Sequence, residues 1–428
     1  VSNGISVLEN EEFGIIEKTS YFKLVQSNYN FRNLWFGQII SLLGDWFNLI
    51  ASAALVAALT ESGLAVGSLF VVRMLSPFIM SPFAGVVADR YNRKKILIAT
   101  DILRTFTAFG FLLVNTPEEV WLLYALTALQ LAIGGFFYPA RNALLPEIVA
   151  TRDLGTANAL SSVTWSVMLA FGAALGGIVS GAIGLYPAFA IDGCTFLVSA
   201  FFLSRIGLAD STGTKGKKTI ISAIHEYLEG LKYLVRNPDI LVITLHKAAL
   251  GLLLFATFDV VQIAVAEKIF IIGIGGGIGL GAMFAVTGLG TGLGPVLVRK
   301  KTGDEERKLR RALVYAYLVG GTGLSLWVPL WNFPSVLLGN LLRGFGGGII
   351  WVFSTQLLLI LVPAEIRGRV FATELAIFTL MSAIGTATSG WLLDSALGIP
   401  GICLGMAILT IIPATLWAFW INRSEKIS

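Results

Sequence analysis

Gly85-Val86-Val87-Ala88-Asp89-Arg90-Tyr91-Asn92-Arg93-Lys94-Lys95 joins two long apolar segments, Leu64 to Ala88 and Ile96 to Val114. A tight, strongly basic turn between two segments of membrane-spanning length is a statement of topology. Short loops rich in Lys and Arg stay on the cytoplasmic side of a membrane. The stretch also carries an acid, a glycine near a helix end and a set basic spacing, none of which a bare connector needs.

Composition points the same way. The chain has 428 residues, of which 55% are hydrophobic and 13% charged, and its mean hydropathy is +0.79. A soluble domain carries about 25% charged residues. This chain cannot cover its surface with charge, so lipid must be its solvent. At roughly 20 residues per span, about twelve spans are expected. They are placed near 34–59, 64–88, 96–114, 119–139, 157–181, 183–204, 239–262, 270–298, 312–332, 334–361, 370–391 and 397–422. With both termini inside, most of the 31 Lys and Arg residues fall in cytoplasmic loops or tails. Arg73, Arg104, Lys247 and Arg343 fall inside spans, and only Lys268 lies outside. The net charge of +5 therefore reads as topology, and nucleic-acid binding is not needed to explain it.

Several function classes lose support. The two cysteines, Cys194 and Cys403, fall in separate spans and read as small packing residues. His225 and His246 are too few for a usual zinc site, so no metal is expected. No Gly-x-x-x-x-Gly-Lys-Ser/Thr loop is present, which argues against an on-chain ATP motor. No nucleophile, base and orienting group converge, so an enzyme is not expected, and no cofactor is. Residues 1–33 are mostly polar and are not expected to be a cleavable signal peptide.

Residues 205–238 divide the spans six and six. Ala209 to Lys218 is a flexible linker by composition. Beyond it, Ile220, Ile221, Ile224, Tyr227, Leu228, Leu231 and Leu234 recur at helical spacing, opposite Glu226, Lys232 and Arg236. An amphipathic helix is expected there, on the membrane face or under the bundle. The organisation is thus a tail over 1–33, a bundle over 34–204, this linker, a bundle over 239–422 and a tail over 423–428.

The opening stretch resembles the signature loop between helices two and three of the major facilitator superfamily, Gly-x-x-x-Asp-Arg-x-Gly-Arg-Arg/Lys. Gly85, Asp89, Arg90, Arg93 and Lys94 match it. Asn92 stands where the family has glycine, and Asn also tolerates left-handed backbone. Asn30 to Gln38, Pro139 to Glu147, Glu229 to Pro238 and Pro363 to Val370 resemble one branch of the superfamily, the enterobactin-exporter-like and macrolide-efflux-like proteins. Gly172-Ala173-Ala174-Leu175-Gly176-Gly177 resembles an exporter-associated Gly-Pro-x-x-Gly-Gly pattern, with Ala173 in the proline position. In span eight, Gly273, Gly277 and Gly281 are spaced by four, the spacing of close helix packing.

The resemblance implies an all-α integral membrane protein of twelve transmembrane helices in two pseudo-symmetric six-helix bundles. It implies that helices 1, 4, 7 and 10 line a central cavity, that 2, 5, 8 and 11 form the interface between halves, and that the rest are peripheral. Charges within a bilayer are costly and usually functional. By carry-over, Gln130, His246, Lys247 and Arg343 are substrate-cavity candidates, and neutralisation by Asp259 and Glu374 is the alternative for Lys247 and Arg343. Asp45 is the proton-coupling candidate, at one depth with Arg73, so that the two can pair; a permanent pair that only holds two helices together is the alternative. Asp101, Arg104 and Glu374 are read as a structural charge network, and Asp192 as a structural hydrogen-bonding group. Gly85, Asp89, Arg90, Arg93 and Lys94 are the candidate cytoplasmic gate.

The expected function is secondary active transport by alternating access: proton-coupled export of an amphipathic small organic molecule such as a drug, macrolide or siderophore. The expected setting is a monomer in the lipid bilayer of the bacterial cytoplasmic membrane, with both termini cytoplasmic, and with the substrate and protons as its partners. One rival is import, or flipping of a lysophospholipid. The other is a non-transporting membrane subunit or sensor on the same fold.

Overall fold

A computed structural model describes residues 21–150, 153–207, 220–303 and 305–427, and among these only helices and turns occur. In chain order the α-helices are α1 (Tyr21–Ser27), α2 (Tyr29–Thr60), α3 (Gly63–Arg90), α4 (Arg93–Gly110), α5 (Val120–Ile148), α6 (Leu154–Val167), α7 (Ala173–Ala182), α8 (Leu185–Ser204) and α9 (Ile220–Arg236). They continue as α10 (Pro238–Leu253), α11 (Ala256–Lys268), α12 (Gly277–Thr302), α13 (Glu306–Ser325), α14 (Phe333–Leu361), α15 (Ala364–Leu393), α16 (Gly398–Leu409) and α17 (Ile411–Ile427). Without water in the hydrocarbon, helices satisfy every backbone group internally, which is why a chain this apolar folds as helices.

Eleven stretches among the described residues are long and apolar enough to cross a membrane. The one expected span not among them, the ninth, corresponds to α13. Glu306, Arg307, Lys308, Arg310 and Arg311 crowd its first turns, so only the part from Ala312 onward is apolar. Side chains start several helices: Asn28 accepts from the Phe31 amide at 2.9 Å, and Asn332 from the Ser335 amide at 2.9 Å. Asn92 does the same for α4, accepting from the Lys95 amide at 3.1 Å. Its φ of −61° is extended. Asn replaces glycine here as a helix cap, and no left-handed backbone is needed.

Other expectations are corrected. Part of the expected tail is helical, since α1 lies within it and buries Leu24. The seventh span is broken between Leu253 and Ala256. The eighth begins at Gly277, because Gly273, Gly275 and Gly276 all have positive φ and form a turn that residues with a Cβ disfavour. The fifth carries a π-helical turn at Met168–Gly172, just before the glycine-rich stretch. The amphipathic helix is present as α9. It rests on α15, where Gly230 meets the Arg369 backbone and Glu229 pairs with Arg369 at 2.7 Å. The polar linker before it lies outside the described residues.

Six spans form each half, and two seams join the halves. Along one, α3 packs on α15. A Cβ on Gly67 would lie 2.7 Å from the Thr386 carbonyl oxygen, and one on Gly390 would lie 2.7 Å from that of Gly63. Along the other, α7 packs on α12. A Cβ on Gly177 would lie 2.5 Å from the Gly277 carbonyl oxygen and 2.6 Å from the Gly281 Cα. Backbone touches backbone at both seams.

Among the described residues, these close glycine contacts lie toward one side of the molecule, here the far face, opposite the face that carries the basic turn. Helix α2 is buried on all sides from Ile50 to Ala57 but only in part before that. Helix α11 repeats the pattern in the second half. The centre is therefore sealed at the far face.

Gly177→Val should overpack the α7–α12 seam. A cost of about 1–3 kcal/mol is expected, read as a lower melting temperature in detergent and faster labelling of a cysteine placed at the far face.

Candidate functional site

The first half holds a buried polar cluster at mid-depth. Arg104 on α4 makes a short hydrogen-bonded ion pair with Asp45 on α2. Its other terminal nitrogen lies 4.0 Å from Asp101, one turn back on α4. The guanidinium lies over the Phe196 ring, 4.0 Å from its centroid. Gln130 on α5 donates to Asp192 on α8 at 3.1 Å and accepts from Thr107 at 3.3 Å. The Asp45 side chain is 30% exposed while Asp101 is wholly buried. Asp45 thus faces open space at a depth where the neighbouring carboxylates do not. The expected Asp45–Arg73 pair is replaced. Arg73 lies within electrostatic reach of Asp45, but the hydrogen-bonded partner is Arg104. The reason is rotational: depth alone put Arg73 level with Asp45, whereas the faces that α2 and α4 turn to each other decide the contact.

The second half uses its deep charges differently. Lys247 on α10 pairs with Glu374 on α15 at 2.8 Å. Its ammonium lies 4.5 Å from the Trp351 ring centroid on α14. Trp351 is 38% exposed and packs edge-on against Phe378. Glu374, read both in a network with Asp101 and Arg104 and as a neutraliser of Lys247, lies in the other half from the first two and serves Lys247. Arg343 is 2% exposed. It donates to the Leu254 carbonyl, to Thr287 at 3.0 Å and to Asn340 at 3.3 Å. That carbonyl is one that the break after α10 leaves without a helical partner, so Arg343 caps a broken span where a cavity cation was expected. His246 also points elsewhere. Its Nδ1 lies 3.0 Å from the Tyr317 hydroxyl, and its ring meets Trp417, on peripheral helices α13 and α17. These residues fall on the spans where the sequence put them, and the sequence could not give the direction they face.

Around the basic turn, Arg93 makes a short ion pair with Glu147 on α5 and donates to the Ala143 carbonyl at 3.3 Å. Lys94 donates to the Ile206 carbonyl at 2.7 Å. These bonds stay within the first half. The side chains at 85, 89 and 90 lie outside the described residues, so the expected Gly85, Asp89 and Arg90 contacts do too.

One contact between halves carried no motif. Asp394, just past α15, accepts from the Gly63 amide at 2.8 Å, the Leu64 amide at 2.9 Å and the Ser62 hydroxyl at 2.9 Å. It caps the start of α3 from the other half, at the positive end of that helix. Burial opposes its charge, but the Leu64 and Gly63 amides and the Ser62 hydroxyl outweigh it and hold the carboxyl below the usual range. A helix-end aspartate across a loop was the one available sequence signal.

Comparison with known proteins places these features. The family profile of the Major Facilitator Superfamily matches residues 34–314. YfiS, an MFS-type transporter of Bacillus subtilis, is 29% identical over 83% of this chain and 85% of its own length. BacE of Bacillus subtilis, assigned as a bacilysin exporter, is 33% identical, and that match spans 50% of this chain and 52% of BacE. A crystal structure of the nucleoside transporter NupG shares the fold at a TM-score of 0.65 with 14% identity, over 90% of this chain and 98% of that one.

Asp394→Ala should loosen the far face by about 1 kcal/mol, a typical cap loss. In a background lacking Cys194 and Cys403, a cysteine replacing Val66 should then react faster with maleimide. Because the latch lowers the Asp394 pKa, its contribution is present above the ordinary aspartate value of about 3.9 and is lost as pH falls through the lower latched value. The mutant effect should therefore be full at pH 7.

Lys247→Met or Glu374→Gln alone should cost about 3–5 kcal/mol, since each strands a buried charge or its partner. Lys247→Met with Glu374→Leu should recover most of that loss in a double-mutant cycle on thermal stability.

Proposed function

The chain belongs to the Major Facilitator Superfamily, and from that premise we propose that it exports an amphipathic small organic molecule in exchange for protons, with Asp45 as the proton-exchanging group. The observation that carries this reading is the position of Asp45. It is a carboxylate at mid-depth, open on one side and tied on the other to Arg104. A proton can reach it, and its charge has a partner that responds to its protonation.

The basic turn and both termini are assigned to the cytoplasm of a bacterial cell, by the distribution of Lys and Arg. The far face is then external, and a centre sealed there receives substrate from the cytoplasm. In this state Asp45 is hydrogen-bonded to Arg104. Opening to the outside requires the glycine seams and the Asp394 latch to part while contacts form at the cytoplasmic side. Asp45 then meets the external proton supply as substrate leaves. Return to the inward state carries the proton in and releases it. The likeness to BacE supports export over uptake. The exposed face of Trp351 beside the Lys247–Glu374 pair suits a substrate with both apolar and polar parts.

The test uses everted vesicles holding a proton gradient. Drugs, macrolides and siderophores are screened for dissipation of that gradient. A response to one class is expected, and Asp45→Asn should abolish it. Survival of the response in that mutant would remove Asp45 from the coupling step, and no response to any class would remove proton-linked export.

A further inference from the structure

The cluster around Asp45 contains more acid than it needs. The charged groups that face it are Asp45 from α2, Arg73 from α3, Asp101 and Arg104 from α4, and Asp192 from α8, while α5 contributes the neutral Gln130. Three carboxylates face two guanidinium groups. One negative charge is left over, and a single proton makes the cluster neutral, which a low-dielectric interior favours.

Asp101 is the member without an evident role. It is wholly buried, and its close polar neighbours are the Arg104 guanidinium and the Ser199 hydroxyl, neither of them in full hydrogen-bond geometry with it. Its nearest cation is Arg104 at 4.0 Å, too long for a hydrogen bond. The Arg104 Nε is also without a partner. Asp192 differs, since Gln130 already donates to one of its oxygens. Phe196 offers a ring face against the guanidinium, on which the group can shift sideways.

We propose that Asp101 is the second seat of Arg104: when Asp45 takes a proton, the guanidinium leaves Asp45 and forms its hydrogen-bonded ion pair with Asp101. This rests on the reading of Asp45 as the proton site and deepens it. The proton joins an Asp45 oxygen, the Arg104–Asp45 bond breaks and the Arg104–Asp101 bond forms. The cation keeps a buried partner in both states, so protonation does not strand it. The swap also changes which helices are tied. The Asp45 pair joins α2 to α4, whereas the Asp101 pair lies within α4 at i and i+3. Protonation thus frees α2, a helix of the central cavity, from α4 at its periphery. Asp101 is a positioning residue here, since it acts through Arg104.

The test needs only protons as the probe. The full-length protein in liposomes is titrated by infrared difference spectroscopy, which reads the carbonyl band of a newly protonated carboxyl and the bands of arginine guanidinium together. In the wild type both should change along one titration. Asp45→Asn should remove both; if the carboxyl band persists in that variant, the reading of Asp45 falls, whatever Asp101 does. Asp101→Asn should lower the proton affinity of the remaining band at least tenfold and erase the guanidinium change. Asp101→Glu restores a seat, so it should return the guanidinium change, which a loss of negative field alone would not require. If Asp101→Asn titrates like the wild type, or keeps the guanidinium change, the second seat is overturned while Asp45 stands. Should the Asn variant fail to fold, the Glu variant decides, because the guanidinium change must then still accompany protonation.

Discussion

Backbone contact between the halves at two glycine seams is the constraint on which the rest of this structure depends. Gly63, Gly67 and Gly390 bring α3 against α15, and Gly177, Gly277 and Gly281 bring α7 against α12. Lipid tails are as apolar as leucine, so helices in a bilayer gain little from burying apolar surface against each other. They gain from close packing, which small residues permit. Such a contact is all or none over a short distance, and this suits a boundary that must form and part. With both seams made, the far ends of α2 and α11 are enclosed, and the Asp394 cap reaches across to α3.

The deep charges follow from the same enclosure. A buried ion needs a partner and hydrogen bonds, or it must lose its charge. The second half meets this with local solutions: Lys247 has Glu374, and Arg343 takes up a carbonyl freed by the break in its neighbouring span. The first half does not balance. Asp45, Asp101 and Asp192 outnumber Arg73 and Arg104, and the imbalance gathers around the one carboxylate that faces open space. The asymmetry between halves of one fold is the reason the proton is assigned to the first.

The signature turn illustrates how far a motif can be read. Its basic residues announced a membrane topology and a family. Their partners here, Glu147, Ala143 and Ile206, all belong to the first half. With the far face sealed, the described side chains Arg93 and Lys94 are occupied near their own half, and a polar tie between halves comes from Asp394, which no motif marks. Within the second half, at the same face as the turn, Arg310 joins Asp239 and Glu306 and so holds α13 against α10. In the sequence these basic residues read only as a loop between spans.

The sequence by itself determined the solvent, the spans, their order and the family. Each of these rests on quantities that sum along the chain: hydropathy over about 20 residues, the placement of Lys and Arg, and a local spacing. It also determined where each charge lies along its helix, because a helix rises a constant ~1.5 Å per residue. Which charges meet was decided only by tertiary structure. Asp45 and Arg73 share a depth, yet Asp45 bonds to Arg104; His246 and Lys247 are adjacent, yet one turns to Tyr317 and the other to Glu374. Successive residues on a helix point about 100° apart, and contact depends on the rotation and crossing of neighbouring helices. Those are set by packing among segments far apart in the chain, at glycines whose partners cannot be named until the helices are brought together.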